Sequence, residues 1–108
     1  MWEIVFLPEA SKDISELDNS VRLQVNKGIL KVSQNPLSKS EGGYGEPLGN
    51  LSCTNLSGLY KIKFKKIGIR VVYGLIRIDK IMRIIIVSAR SNNYCYDEAD
   101  KRKQKHKL

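Results

Sequence analysis

The sequence predicts an α+β domain with the element order β-α-α-β-β-β, followed by a C-terminal helix or tail. The prediction depends on an alternating apolar segment at the N-terminus, two stretches of helical apolar spacing, and three closely spaced strand-like segments in the second half. Tight turns between those last segments indicate an antiparallel meander, with an αα-hairpin packed on one face and the other face left open. A chain of 108 residues is expected to form a single domain, residues 1–108.

The first half supplies one strand and two helices. Trp2, Ile4 and Phe6 alternate with polar or smaller residues, as in a short strand. Pro8 then suits the first position of a helix. Apolar residues recur at helical spacing on both sides of a turn-prone segment, residues 18–20. They are Ala10, Ile14 and Leu17 before the turn, and Val21, Val25, Ile29 and Val32 after it.

Residues 37–58 change in composition to Gly, Ser, Asn and Pro. Long stretches of this kind are uncommon in compact domains and are often functional or mobile. We interpret residues 37–58 as a mobile surface loop, and the alternative is that the segment holds a short strand of its own.

The second half predicts three strands and a basic C-terminal segment. Apolar and basic residues alternate, with Tyr60, Ile62 and Phe64 on one face and Lys61, Lys63 and Lys65 on the other. A turn at Gly68 leads to the next strand, and residues 81–89 are almost continuously apolar, as in the middle of a sheet. Residues 94–107 are expected to form a helix that ends in a basic tail, residues 101–108.

The charge is distributed unevenly along the chain. Residues 59–108 carry 14 Lys and Arg against four acids, a net charge of +10, whereas residues 1–58 carry five bases and seven acids, a net charge of −2. Such asymmetry favours a polyanionic partner over an acidic metabolite. Neither His nor a carboxylate accompanies the cations of the predicted strands, so the pattern indicates a phosphate-binding surface.

Cys53 and Cys95 are far apart and lack metal-ligand or redox spacing, so we expect reduced thiols in a cytoplasmic protein. No export signal is recognised at the N-terminus, and the longest apolar run is too short to span a membrane. We therefore expect no membrane association, and the sequence predicts neither a metal site nor a cofactor.

Three motifs follow one another in the second half. They are Leu-x-Gly-x-Tyr-Lys-Ile-Lys (residues 56–63), Gly-x-Arg-x-Val-Tyr (residues 68–73) and an arginine followed six positions later by a tyrosine (Arg90 and Tyr96). In this order and register they resemble the RelE branch of the RelE/ParE toxins of type II toxin–antitoxin systems. The resemblance covers nearly the whole chain.

The resemblance implies a RelE-like fold and cleavage of messenger RNA in the ribosomal A site. It assigns the catalytic roles to five residues: Lys61, Lys63, Arg70, Arg90 and Tyr96. The implied reaction is attack of the 2′-hydroxyl on the adjacent phosphate, without a metal, which excludes DNA as a substrate. The resemblance also implies two partners, a cognate antitoxin protein and the 70S ribosome with its mRNA.

Lysine and arginine are suited to this chemistry because they stabilise charge on phosphate oxygens. Arginine offers paired N–H donors, so Arg70 and Arg90 are expected to clamp the phosphate. The resemblance favours Lys61 as the base and Arg90 as a candidate proton donor. A lysine two positions away, at roughly 7 Å, costs about 2.4 kcal/mol at an effective dielectric of about 20. This is under about two pKa units, so several neighbouring cations have to act together.

Further basic residues are candidates for contacts with RNA or the ribosome, and ordinary solvated charge is the alternative for each. They are Lys65, Lys66, Arg77, Lys80, Arg83, Lys101, Arg102 and Lys103. For Tyr96, stacking on a base competes with anchoring of the C-terminal segment to the sheet. Tyr60 and Tyr73 are expected in the core, and His106 is not expected to be catalytic.

The sequence leaves two other function classes open. One is a ParE-like inhibitor of DNA gyrase, and the other is a catalytically silent module that binds RNA or an antitoxin. ParE-like chains generally lack the paired lysines and the late arginine and tyrosine, which favours the nuclease. Asn92 stands where many RelE relatives have another basic residue, and this departure bears on rate and codon preference.

Overall fold

The computed structural model describes residues 1–51, 54–89 and 92–106. Within these ranges the chain forms five strands and three α-helices, which confirms the α+β class. The elements are β1 (Glu3–Phe6), α1 (Pro8–Ser15), α2 (Asn19–Ser33), β2 (Glu46–Leu51), β3 (Thr54–Phe64), β4 (Ile69–Ile76), β5 (Ile81–Ser88) and α3 (Asn92–Lys105), with a short 3₁₀ helix at Lys39–Glu41.

The strands form one sheet in the order β1-β5-β4-β3-β2. Strands β2 to β5 are antiparallel neighbours, as predicted for the last three, but β1 pairs with β5 in parallel. The predicted antiparallel meander of the last strands is therefore confirmed, and the parallel pairing of β1, which the sequence did not specify, makes the sheet mixed. Strand β1 lies at one edge of the sheet, beside β5, and runs in the same direction as β5. The two helices follow β1 directly, so β1 has no strand neighbour in sequence.

The helix pair begins and packs as its sequence predicts. Pro8 occupies the first turn of α1, and the apolar stripe of both helices is buried at Ala10, Val25, Ile29 and Val32. Gly28 of α2 faces the ring of β3 residue Phe64, and a side chain at this position would collide with that ring. Glycine therefore allows α2 to lie directly on the sheet.

Residues 37–58 are not a loop throughout, which corrects the interpretation of this segment. They contain the 3₁₀ helix, β2 and the first part of β3, so the alternative of an additional strand was right. Strand β2 is an edge strand with a register shift between Pro47 and Gly49, and edges and bulges are where sheets tolerate proline and glycine. Composition alone therefore concealed the strand.

Two tyrosines lie in the core, as predicted. Tyr60 and Tyr73 stack with their ring centroids 5.3 Å apart, and Tyr73 is fully buried. The Tyr73 hydroxyl donates a 2.8 Å hydrogen bond to the carbonyl oxygen of Pro36. The end of the helix pair is thereby tied to the centre of the sheet.

Helix α3 packs on the face of the sheet opposite α2, which the sequence predicted to be open. Phe64 of β3 points to one face and contacts α2. Its neighbour Lys63 points to the other face, where its cross-strand partner Arg70 lies beside Tyr96 of α3. Few residues of α3 are apolar and buried, mainly Cys95 and Ala99 in addition to Tyr96. This weak apolar signal explains why packing of α3 was not foreseen.

Arg102 of α3 caps the part of β5 that β1 leaves without a strand partner. β1 pairs with β5 only as far as Ile84, and beyond that point the Asp13 carboxylate accepts the N–H of Val87 at 3.1 Å. Arg102 donates to the same carboxylate at 2.6 Å and to the carbonyl oxygen of Ile85 at 3.0 Å. The edge of the sheet is thus satisfied by an ion pair between α1 and α3.

The C-terminal residues are also in contact with α1. Glu9 accepts a 2.9 Å hydrogen bond from Lys105, and its other oxygen lies 3.0 Å from Nε2 of His106. The basic segment predicted as a tail is therefore helical through Lys105. In the part of the chain that the structure describes, no helix is long and apolar enough to cross a bilayer.

Candidate active site

Three predicted site residues lie together on the face of the sheet that carries α3. Lys63 of β3 is directly opposite Arg70 of β4, and Lys61 is two positions away along β3. Residues two apart on a strand share a face, and cross-strand partners do so as well. Alternation on β3 and the tight turn between β3 and β4 therefore bring these cations together, as predicted.

Lys61 is partly buried whereas Lys63 is exposed. Burial lowers the pKa of Lys61 below its ordinary value, and the positive charges of Lys63 and Arg70 lower it further. The direction agrees with the expectation for a lysine base, but burial rather than like charge is the larger cause. A lysine with a lowered pKa is more often a neutral amine near neutral pH, and only the neutral amine can accept a proton.

Arg70 is half-buried on β4, the central strand of the sheet. Its partner on β5 is the buried Ser88, and its guanidinium lies beside the hydroxyl of Tyr96. Arg70 Nε is buried and has no hydrogen-bond partner among the described residues. A buried donor of this kind is costly unless a ligand uses it.

Tyr96 is only 9% exposed. Burial and the neighbouring Cys95 raise the pKa of its hydroxyl, and Arg70 opposes this rise. Stacking on a base needs an open ring face, so this geometry corresponds to the alternative in which Tyr96 anchors the C-terminal helix. Its hydroxyl nevertheless contacts the site through Arg70.

Glu46 is a site residue that sequence reasoning missed. It lies opposite Lys61 across β2 and β3, with Oε2 3.9 Å from the lysine Nζ, and its Oε1 is 3.3 Å from Lys39. The expectation of a cluster without carboxylates was therefore wrong. Glu46 belongs to the segment interpreted as a loop, so no signal placed it beside Lys61.

Lys65 and Lys66 are exposed in the turn that follows β3, at the same end of the sheet as Lys63 and Arg70. A shallow groove of about 200 Å³ runs along this end and is lined by both strands and the turn. Its basic lining includes Lys63, Lys65 and Arg70. The turn lysines thus extend the positive surface outward from the site.

Three other predicted contacts lie toward the opposite end of the strands. Arg77 and Lys80 are in the turn after β4, and Arg83 is near the start of β5. Seven residues of strand separate Arg70 from Arg77, roughly 23 Å. Arg77 also donates two hydrogen bonds to Glu41, at 2.9 and 3.0 Å, and this pairing neutralises much of its charge.

The assignment of Arg102 to an RNA-binding surface was wrong. Its side chain is buried and held by Asp13, Glu98 and the carbonyl oxygen of Ile85. Lys101 is exposed, and Lys103 is half-buried beside Arg83 in a second groove.

Arg90 and Cys53 lie outside the described residues, so the predicted place of Arg90 in the site stays a prediction. Burial raises the pKa of the Cys95 thiol to about 11, which suits an unreactive thiol. Among the described residues, no group of three or more His, Cys, Asp or Glu side chains is arranged to hold a metal ion.

Similarity to known proteins covers most of the chain. No family model matches the chain. It is 31% identical over 97 residues to a protein named mRNA interferase toxin RelE from Escherichia coli, spanning 90% of this chain and 92% of that protein.

Solved structures match the fold. The free form of an arginine-to-alanine variant of the E. coli toxin RelE has a TM-score of 0.71 at 27% identity, covering 94% of this chain and 96% of that one. The same variant in complex with a peptide of the antitoxin RelBc has a TM-score of 0.65 at 26% identity, covering 91% and 93%. The sequence identity over nearly the full length, together with the shared fold, shows that the chain belongs to the RelE family of toxins.

Proposed function

We propose that this protein is the toxin of a type II toxin–antitoxin system and cleaves messenger RNA in the ribosomal A site. The observation that carries the proposal is the placement of Lys63 directly opposite Arg70, with Lys61 beside them on one face. The similarity to a relative named mRNA interferase supports the same activity.

The paired cations are not explained by stability. Like charges directly opposite across a sheet are destabilising, and Arg70 adds a buried nitrogen without a partner among the described residues. Local departures of this kind are expected where a ligand supplies the missing interaction. A phosphate bound between Lys63 and Arg70 would offset this repulsion.

The reaction proposed is an internal transfer at phosphorus. The 2′-oxygen of one nucleotide loses its proton and bonds to the adjacent phosphorus, while the bond to the 5′-oxygen of the next nucleotide breaks. The products are a 2′,3′-cyclic phosphate and a 5′-hydroxyl, and the leaving oxygen takes up a proton. The protein contributes mainly positioning and charge stabilisation.

Each residue has a distinct proposed role. Lys61, whose pKa is lowered, receives the proton of the 2′-hydroxyl. Lys63 and Arg70 stabilise the phosphate oxygens, and Arg90 is proposed to donate to the leaving oxygen. Tyr96 is proposed to position Arg70 rather than to stack on a base, because its ring is buried.

The ribosome is proposed to supply what the free protein lacks. Correct placement of reacting groups can lower a barrier by roughly 7 to 11 kcal/mol, and the groove beside Arg70 is shallow and open to solvent. We expect slow cleavage of free RNA and faster cleavage of ribosome-bound RNA. Lys65, Lys66 and Lys101 are exposed and are proposed to contact RNA phosphates.

The reaction is proposed to be independent of metal ions, since side-chain cations provide the charge. Cleavage by the purified toxin should survive chelation of divalent ions, tested with a ribosome–mRNA complex whose integrity in the same buffer is checked by sedimentation. Loss of cleavage from intact complexes would contradict this part of the proposal.

An antitoxin protein is the proposed cellular partner. The relative of similar fold is known in complex with an antitoxin peptide, and the net charge of +8 on this chain favours an acidic partner. An antitoxin that covers the α3 face would block access of RNA to Lys61 and Arg70.

The decisive experiment maps the 5′ ends of messages after induction in cells, comparing wild type with Lys61→Ala and with the control Lys27→Ala, which changes an exposed lysine of α2. Cuts at fixed positions within codons are expected for the wild type and the control and should be lost in Lys61→Ala. A supercoiling assay with gyrase accompanies it. Inhibition of gyrase without cleavage of message would overturn the proposal.

A further inference from the structure

Glu46 is the one carboxylate that the described structure places beside the catalytic cations. It is the cross-strand partner of Lys61 and shares its face of the sheet, with 3.9 Å between Oε2 and Nζ. Strand β2, which carries Glu46, is an edge strand paired with β3. The site thus contains a fixed negative charge where its substrate is also negative.

We propose that Glu46 is a positioning residue that restrains the toxin. Its carboxylate holds Lys61 in the charged form and repels the RNA phosphate that has to approach the site. The inference depends on the proposed function, in which Lys61 acts as the base. It assigns to β2 a role in setting the rate of the reaction.

The charges around Lys61 act in opposite directions. Lys63 on the same strand and Arg70 on β4 favour the neutral amine, as burial does. Glu46 on β2 favours the ammonium form of Lys61, and the Tyr96 hydroxyl of α3 lies near Glu46 and Arg70. Among the described residues, Glu46 is therefore the carboxylate that raises the pKa of Lys61, whereas burial, Lys63 and Arg70 lower it.

Glu46 also contacts Lys39, at 3.3 Å from its second oxygen, so it bridges the 3₁₀ helix and β3. The charge on Glu46 can be removed with little change in shape, because glutamine is nearly isosteric with glutamate. Removal should raise activity, since both the proton affinity of Lys61 and the repulsion of phosphate decrease. Most substitutions in an active site lower activity, so this direction is distinctive.

Glu41 provides a matched control. It lies in the same segment and is paired with Arg77 rather than with Lys61. Glu41→Gln and Glu46→Gln change the net charge by the same amount. A difference between them reports the position of the charge and not the overall charge of the protein.

The first measurement needs no RNA. The rate of acetylation of Lys61 by an N-hydroxysuccinimide ester is followed by peptide mass spectrometry across pH, because only the neutral amine reacts. Glu46→Gln should lower the midpoint for Lys61 by about half a unit to one unit, and Glu41→Gln should leave it unchanged. Equal midpoints in wild type and Glu46→Gln would overturn the inference.

The second measurement is cleavage of ribosome-bound RNA. Glu46→Gln should cleave about three to ten times faster than wild type at neutral pH, as expected for a shift of that size, and the gain should vanish in the Lys61→Met background. A loss of rate in Glu46→Gln, or a gain that persists without Lys61, overturns the inference. If the Lys61 midpoint moves but the wild type cuts no RNA, the pairing stands and the proposed function fails.

Discussion

Arg70, which lies on the sheet beside Tyr96 of α3, and Arg102, which belongs to α3 itself, have different surroundings. Arg102 donates to two carboxylates and a backbone carbonyl, at 2.6, 3.1 and 3.0 Å. Arg70 faces another cation, Lys63, and keeps a buried N–H without a partner among the described residues. One arginine is enclosed by protein acceptors and the other is not.

The difference separates a structural arginine, Arg102, from Arg70, for which ligand binding is proposed. Arg102 joins α1, α3 and the edge of β5, and its guanidinium is hydrogen-bonded to acceptors within the protein. Arg70 contacts the hydroxyl of Tyr96 but has no carboxylate partner among the described residues, and an incoming anion is the proposed source of that interaction. Position in a basic sequence segment does not distinguish the two residues, whereas the number of fixed acceptors does.

Arg70→Ala tests the ligand-binding side of this comparison and should have the largest effect. Removal of a charge-stabilising donor typically costs about 10²- to 10³-fold in rate, so cleavage of ribosome-bound RNA should fall by that factor. The free energy of unfolding should change little or rise, because the repulsion from Lys63 is relieved. Single-turnover cleavage and urea unfolding measure the two effects, and a large loss of stability with normal cleavage would reverse the assignment.

Arg102→Ala tests the structural side. It leaves Asp13 without its main partner in a partly buried place and uncaps the edge of β5. Breaking a buried pair in this way costs about 3 kcal/mol, which urea unfolding would detect. Cleavage per folded molecule should be retained. Lys101→Ala, one residue away and exposed, is the control and should unfold like the wild type.

Tyr96→Phe asks whether the tyrosine hydroxyl orients Arg70 as Asp13 orients Arg102. Loss of one hydrogen-bonding group is worth about 1 kcal/mol, so the cleavage rate should fall about threefold to tenfold while stability is nearly unchanged. The readout is kcat against KM for a defined ribosome complex, with the effect expected in kcat. Unchanged kinetics would leave Tyr96 with only its anchoring role.

Glu9→Gln concerns the second, more exposed contact between α1 and α3 and should have the smallest effect. The hydrogen bond from Lys105 is the main cause that lowers the pKa of Glu9 from 4.5 to about 2. The contribution of Glu9 to stability is therefore complete above pH 4.5 and is lost as pH falls towards 2.

Urea unfolding of wild type and Glu9→Gln at a series of pH values checks this expectation. At pH 7 the variant should be less stable by under about 1 kcal/mol, as for an exposed ion pair. The two curves should converge near pH 2. A difference that stays constant across the range would show that the charge of Glu9 is not responsible.

The parts of the fold with regular local patterns could be predicted from the sequence. Alternation over residues 60–64 placed Lys61 and Lys63 on one face, and the turn around Gly68 brought Arg70 opposite them. Helical spacing gave the buried stripe of α1 and α2. These patterns involve neighbours in sequence, so a single segment contains the information.

Contacts between distant segments could not be predicted in the same way. Asp13 and Arg102 are 89 residues apart, and nothing in either local sequence marks the pairing. Glu46 lies between Gly45 and Pro47, where the composition indicates a loop, and only the presence of β3 as a partner makes this segment a strand. Relative to the prediction, the structure adds Glu46 to the candidate site and removes Arg102 from the expected RNA-binding surface.

The parallel pairing of β1 with β5 determines when the sheet can close during synthesis. Residues 3–6 lack their β5 partner until residues 81–84 have been made, and the Asp13–Arg102 contact cannot form before residue 102 has been added. Pairing between such distant segments is slow compared with local folding. A nascent chain therefore completes its native architecture only after residue 102 has been synthesised.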